Sequence, residues 1–136
     1  TLGEYEMLLQ TTLSLSAAAA LITIWHMVRI GRVRMSEKIL VGDGGNDALL
    51  RRMRAQANFL ENTPFVLILV AAIEMTGRGG TWLAVVGALF MLGRVLHAFG
   101  MDNAKPNALR IIGTLIAMLT LLGLGVVAVL LSVGRF

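Results

Sequence analysis

The chain has 136 residues, 57% of them hydrophobic, and a mean hydropathy of +0.78, which fits a single membrane domain and is far from the soluble average. It contains no cysteine, so a disulfide framework, a thiolate metal site and a protein-borne cysteine nucleophile are excluded, and any thiol chemistry needs an imported thiol. The net charge is +4, but seven of the twelve Lys and Arg residues lie between positions 29 and 54 beside an apolar run, a placement that the positive-inside rule explains better than nucleic-acid binding does.

The first apolar run covers residues 5–28. As a helix it would rise about 36 Å, enough to cross a hydrocarbon core of about 30 Å with some tilt. Glu4 and Glu6 stand where a signal peptide carries a basic leader, and the run continues past Ala17–Ala20, so it is expected to stay in the mature chain. His26, beside Trp25, reads as an interfacial residue. Residues 29–46 read as a polar loop ending in Gly42-Asp-Gly-Gly-Asn, with glycines for backbone freedom and Asn46 or Asp47 as the cap of the next helix. The Walker spacing and its Lys-Ser/Thr are missing, so phosphate binding is not expected there.

The second helix is predicted over residues 47–76, with Pro64 removing one backbone hydrogen bond and bending it. On its first half Arg51, Arg54, Asn58 and Glu61 fall within about a quarter-turn of one another, and the same helix continues into an apolar run. Charged groups carried to that depth must pair, face water or hold a polar ligand. A short break at Gly77-Arg-Gly-Gly makes the third helix, residues 81–99, an antiparallel neighbour whose interfacial start is Trp82 and whose far end carries Arg94 and His97 on one face. A polar connection precedes the fourth span, residues 108–133, which opens with Arg110. Ala84 with Ala88 and Gly113 with Ala117 are small pairs that permit close helix approach. The predicted fold is therefore an all-α, up-down-up-down four-helix membrane bundle. With the Lys and Arg residues gathered at the first and third connections, both termini are expected to face away from the cytoplasm.

Arg54, Asn58 and Glu61 on one helix, Arg94 and His97 on another, and Arg110 opening a third make a cationic, hydrogen-bonding set at one membrane edge. Arginine grips carboxylates and a buried carboxylate takes an ammonium group, so the pattern suits a small zwitterionic acid. A structural alternative stands beside it, in which Glu61 neutralises Arg54 or Arg94 and ties helices together. No metal is expected, because neither His26 nor His97 has a second ligand three or four residues away, and no serine-histidine-acid motif is present.

Arg51-x-x-Arg54-Ala-Gln-x-Asn58-x-x-Glu61 followed by Pro64, Gly44-Gly45 before the second helix, and Gly93-Arg94-Val-Leu-His97 in the third together resemble the family of membrane-associated proteins in eicosanoid and glutathione metabolism (MAPEG), its bacterial members especially. The resemblance covers nearly the whole chain. It implies a homotrimer binding glutathione between neighbouring subunits, near the cytoplasmic side. By that resemblance Arg54, Asn58 and Glu61 would hold the tripeptide's carboxylates and amine with Arg51 close by. Arg94 and His97 would line the same site, and Arg29 falls where the first helix contributes an arginine. Arg110, sixteen residues after Arg94, sits where prostaglandin-synthase-like members place the arginine that stabilises the thiolate. Ala57, Phe59, Met101 and Ile111 depart from that branch, which has arginine, a polar residue, tyrosine and serine at these places. The implied activity is a glutathione-dependent transferase or peroxidase acting on hydrophobic electrophiles. Two alternatives are a non-catalytic lipid-binding protein and a small proton-coupled exporter. The exporter would normally rely on an acid within its first span, where this chain has only Glu6 near the edge.

Overall fold

The computed structural model describes residues 7–136, so the expected start of the first span at Tyr5, with its neighbours Glu4 and Glu6, lies outside the described residues. Four helices follow: α1 Gln10–Glu37, α2 Asp47–Met75, α3 Thr81–Met101 and α4 Ala108–Ser132. Each is long and apolar enough to cross a membrane. The start of α1 meets the end of α2 through Thr11, Thr12 and Glu74, and near the other end Asn58 of α2 meets Arg94 of α3, so neighbouring helices run antiparallel. The molecule is an all-α, integral membrane four-helix bundle.

α1 runs past the expected Val28 to Glu37, taking Arg29, Arg32 and Arg34 into the helix. The reason is largely intrinsic: Arg, Met and Glu are good helix formers, and no proline lies between Arg29 and Glu37, the single Gly31 being tolerated within the helix. The helix stops where Lys38 turns left-handed (φ 56°), and the Ile39 amide bonds back to the Arg34 carbonyl at 3.0 Å. The Arg34 guanidinium then closes the loop by donating to the Gly42 carbonyl at 2.8 Å. Asn46 caps α2, its Oδ1 accepting from the Leu49 amide at 2.9 Å. α2 remains one helix through Pro64.

Leu15, Ala19, Phe59, Val66, Val70, Phe90, Met91, Ala117 and Leu124 are among the side chains that fill the space between the helices. Without an aqueous hydrophobic drive inside lipid, close backbone approach matters most, and glycine supplies it between α3 and α4. A Cβ on Gly113 would stand 2.6 Å from the His97 Cβ and 2.7 Å from the Gly93 carbonyl oxygen. Gly113 and Ala117 are thus used inside the protomer, whereas Ala84 and Ala88 face outward. Large apolar side chains such as Leu119 and Leu122 also point out, as lipid contact requires.

Candidate functional site

The longer α1 changes the setting of His26. It is no longer at a helix end but one turn before Arg29 in mid-helix, and instead of an interfacial position it has a buried one, 1% exposed, with its ring 5.4 Å from Phe59. Arg29 is also largely buried. Its guanidinium lies 4.7 Å over the Trp25 ring and 5.5 Å from Phe99, and it forms an ion pair with Asp102 of the α3–α4 connection. Arg51 reaches the same residue from α2, its Nε donating to the Asp102 main-chain carbonyl at 3.2 Å. Arg52 donates to the Arg29 carbonyl at 2.6 Å. The two predicted site residues Arg29 and Arg51 therefore hold three helices and a loop together.

Arg94 occupies the interior and is 2% exposed. One terminal nitrogen donates to Asn58 Oδ1 and the other to the Gly113 carbonyl, while its Nε has no partner. A guanidinium placed so deep with no carboxylate beside it is held by hydrogen bonds to neutral groups and by the Phe90 ring at 5.6 Å. His97, one turn along, is buried against Gly113. The second-helix and third-helix motifs thus meet at the Asn58–Arg94 contact.

Arg54 and Glu61 behave differently. Both are exposed on the outer face of α2, which continues through Phe65 and Ile68, and among the described residues neither has a hydrogen-bond or ion-pair partner. The alternative in which Glu61 neutralises Arg54 or Arg94 within the protomer is not what this structure contains. Counting from Glu74 at the opposite end, Glu61 stands about 20 Å along the axis and Arg54 about 30 Å, so Glu61 lies within hydrocarbon depth and Arg54 at its edge.

Arg110 starts α4, where Asn107 caps the helix by accepting from the Arg110 amide at 3.2 Å. Its Nε donates to the Gly100 carbonyl at 3.0 Å and one terminal nitrogen to the Asn103 carbonyl. The other terminal nitrogen has no partner among the described residues. The predicted set therefore divides into an interior pair with His97 beside it, an outward pair, and three arginines on α1, α2 and α4 that bond to the α3–α4 connection.

Two acids carry structural tasks that sequence reasoning did not assign. Glu74 accepts from the Thr11 and Thr12 amides and the Thr12 hydroxyl, capping α1 from another helix. Its signal was present: a lone carboxylate closing an apolar run opposite a helix start whose own N-cap, Leu9, makes no side-chain bond. Asp102 is the sole acid of a connection that returns to a cationic end, which makes it the natural partner for an arginine. A cavity of about 1170 Å³ also opens at the Glu74 end between α1, α3 and the α2–α3 turn, bordered by Ser14, Leu15, Thr81, Ala84 and Met91.

The chain matches the sequence profile described as the MAPEG family over residues 12–130. It is 30% identical over 86 residues to the inner membrane protein YecN of Escherichia coli K12, a match covering 62% of this chain and 65% of that relative's length. It is 31% identical over 122 residues to the uncharacterized protein sll1147 of Synechocystis, covering 88% of this chain and 85% of the relative. With four membrane helices, the second- and third-helix motifs in contact and a profile match over most of its length, the chain belongs to the MAPEG family.

Proposed function

We propose that this protein is a membrane-bound glutathione-dependent transferase or peroxidase that acts on hydrophobic electrophiles, with Arg110 stabilising the thiolate. The observation that carries the reading is the outward pair on α2. Arg54 and Glu61 are two turns apart, about 10.5 Å along the axis, and a fully extended three-residue peptide spans about 10–11 Å. A carboxylate at hydrocarbon depth that its own chain leaves unpaired is costly unless an ammonium group or a neighbouring subunit meets it. Both conditions are satisfied if a tripeptide lies along α2 beneath a second copy, which favours a homotrimer of the family kind.

In this reading Arg54 grips a carboxylate, Glu61 takes the amine, and Asn58, whose oxygen is already turned to Arg94, presents its amide nitrogen. Arg94 and His97 shape the wall behind Asn58, while Arg29 and Arg51 support it through the connection. When bound, glutathione supplies a thiol nucleophile. Arg110 places positive charge beside that sulfur, which favours the anion over a thiol whose pKa is about 8.5 in water. The apolar outer surface admits electrophiles from the bilayer. The YecN relative supports a bacterial inner membrane, and the positive-inside distribution supports an orientation with both termini away from the cytoplasm.

Titration of the purified full-length protein with glutathione, read by calorimetry and ultraviolet absorbance, tests this. Saturable binding with a thiolate band is expected, lost in large part in Arg110→Ala, while Arg54→Ala weakens binding more than it alters the thiolate. Absence of binding at millimolar glutathione would overturn it. A second reading, a non-catalytic lipid-binding protein, is favoured by the partly apolar cavity at the Glu74 end. Turnover of a generic aromatic electrophile against a no-protein control separates the two.

A further inference from the structure

We infer that Asp102 is a positioning residue for Arg110: by fastening the α3–α4 connection to α1 and α2, it holds in place the Asn103 carbonyl that aims one terminal nitrogen of the Arg110 guanidinium. The inference deepens the reading of Arg110 given above, yet its structural half stands without glutathione.

An arginine side chain has many rotamers, so its direction is decided by the acceptors it finds. Here those acceptors are the Gly100 carbonyl in the last turn of α3 and the Asn103 carbonyl in the connection just after it, where carbonyls lack intrahelical partners. A carbonyl in such a place is only as well oriented as the chain that carries it. Gly100 is oriented from α4: Asn107 donates to its carbonyl at 2.7 Å, and a Cβ on Gly100 would stand 2.5 Å from the Arg110 amide nitrogen, so the two backbones are in contact. Asn103 has no such restraint of its own. Residues 102–106 are all exposed, and the restraint comes from its neighbour, Asp102.

Asp102 is held on both sides. Its carboxylate takes the Arg29 guanidinium, and its main-chain carbonyl takes Arg51 Nε. Arg29 is itself immobilised, between the rings of Trp25 and Phe99 and through its own carbonyl, which accepts from Arg52. α1 and α2 therefore dictate where Asn103 stands, and Asn103 dictates where one of the Arg110 nitrogens points. Without the Asp102 carboxylate, one anchor of the connection is lost and Arg29 keeps only its rings. The Arg110 guanidinium then samples other directions, and the positive potential it offers at any one point falls accordingly.

The test uses the full-length protein in lipid nanodiscs and the terminal guanidinium Nη–H signals of its arginines in 15N-resolved NMR, which for Arg110 report the bond to the Asn103 carbonyl, with Arg110 and Arg94 assigned by Arg110→Lys and Arg94→Lys. Asp102→Ala is expected to shift the Arg110 signal and speed its hydrogen exchange at least tenfold while leaving Arg94 unchanged; Asp102→Glu is expected to restore much of the protection. If Asp102→Ala does not fold, the isosteric Asp102→Asn carries the same expectation. An unaltered Arg110 signal in a folded Asp102 variant would overturn the inference. Titrations then read the chemical half. The thiolate of bound glutathione should form at a pH about one unit higher in the variant, with the dissociation constant changed less than threefold. A wild-type protein that binds no glutathione removes the proposed function but leaves the NMR result to decide the positioning. Bound glutathione with an identical thiolate in wild type and variant refutes the chemical half alone.

Discussion

Glu74→Ala offers the most direct check on how the bundle is tied at the end opposite its arginines. α1 begins without a side-chain cap of its own, and the Glu74 carboxylate accepts from the Thr11 amide at 3.0 Å and from the Thr12 amide and hydroxyl at 2.6 Å each. One capping bond contributes about 1 kcal/mol, and each bond to a charged acceptor about 1.5–3 kcal/mol. The three bonds share one carboxylate at a helix end that water can reach, so their sum is an overestimate. A loss of about 2–4 kcal/mol is expected for Glu74→Ala, a reduction of roughly 30- to 1000-fold in the folded-to-unfolded ratio. Glu74→Gln keeps one acceptor oxygen and should cost about 1–2 kcal/mol. The assay is reversible unfolding in mixed dodecyl maltoside and dodecyl sulfate micelles, followed by circular dichroism, with hydrogen exchange at the Thr11 and Thr12 amides. Wild-type protection of those two amides in Glu74→Ala, with an unmoved unfolding midpoint, would refute the reasoning.

Other substitutions probe the cationic half. Gly113→Ala places a Cβ against the His97 backbone and the Gly93 carbonyl and should cost about 1–3 kcal/mol, seen as a lower midpoint of thermal unfolding in detergent; an unchanged midpoint would mean that α3 and α4 have room to part. Asn58→Ala deprives a buried Arg94 nitrogen of its acceptor, for an expected loss of about 1–3 kcal/mol in the same assay, whereas an equally stable variant would show that Arg94 finds another partner. Lys38→Gly relieves a left-handed conformation and should stabilise the protein by about 0.5–1 kcal/mol, raising the midpoint; a lower one would mean that the lysine side chain contributes there.

Much of the architecture was readable along the chain. Runs of apolar residues long enough to span hydrocarbon, punctuated by Gly77, Gly79, Gly80 and the Pro106-Asn107 pair, are local signals, and helix formation inside lipid is itself local because each backbone group must bond within its own segment. The one large displacement, the end of α1, arose because charged residues after Val28 looked like a loop, although Arg34, Glu37 and their neighbours are good helix formers. The Asn58–Arg94 contact was legible as two polar faces on antiparallel neighbours. The division of the remaining site residues was not, since a helical face tells which residues point together but not whether a neighbouring helix stands in front of them. That is why Glu61 could be read as an internal partner for Arg94, while it projects from the protomer instead.

Sequence alone thus determined how many helices there are, their order, the cap at the start of α2, and the concentration of arginine at one end, because backbone satisfaction and charge asymmetry are written residue by residue. Tertiary structure decided what each arginine touches. Arg29 went to Asp102, Arg94 to Asn58 and Gly113, and Arg110 to the carbonyls of Gly100 and Asn103, choices made by residues far away in sequence and brought near only by packing. Long flexible guanidinium groups take whichever acceptor the assembled bundle presents, and no periodicity in the chain specifies that.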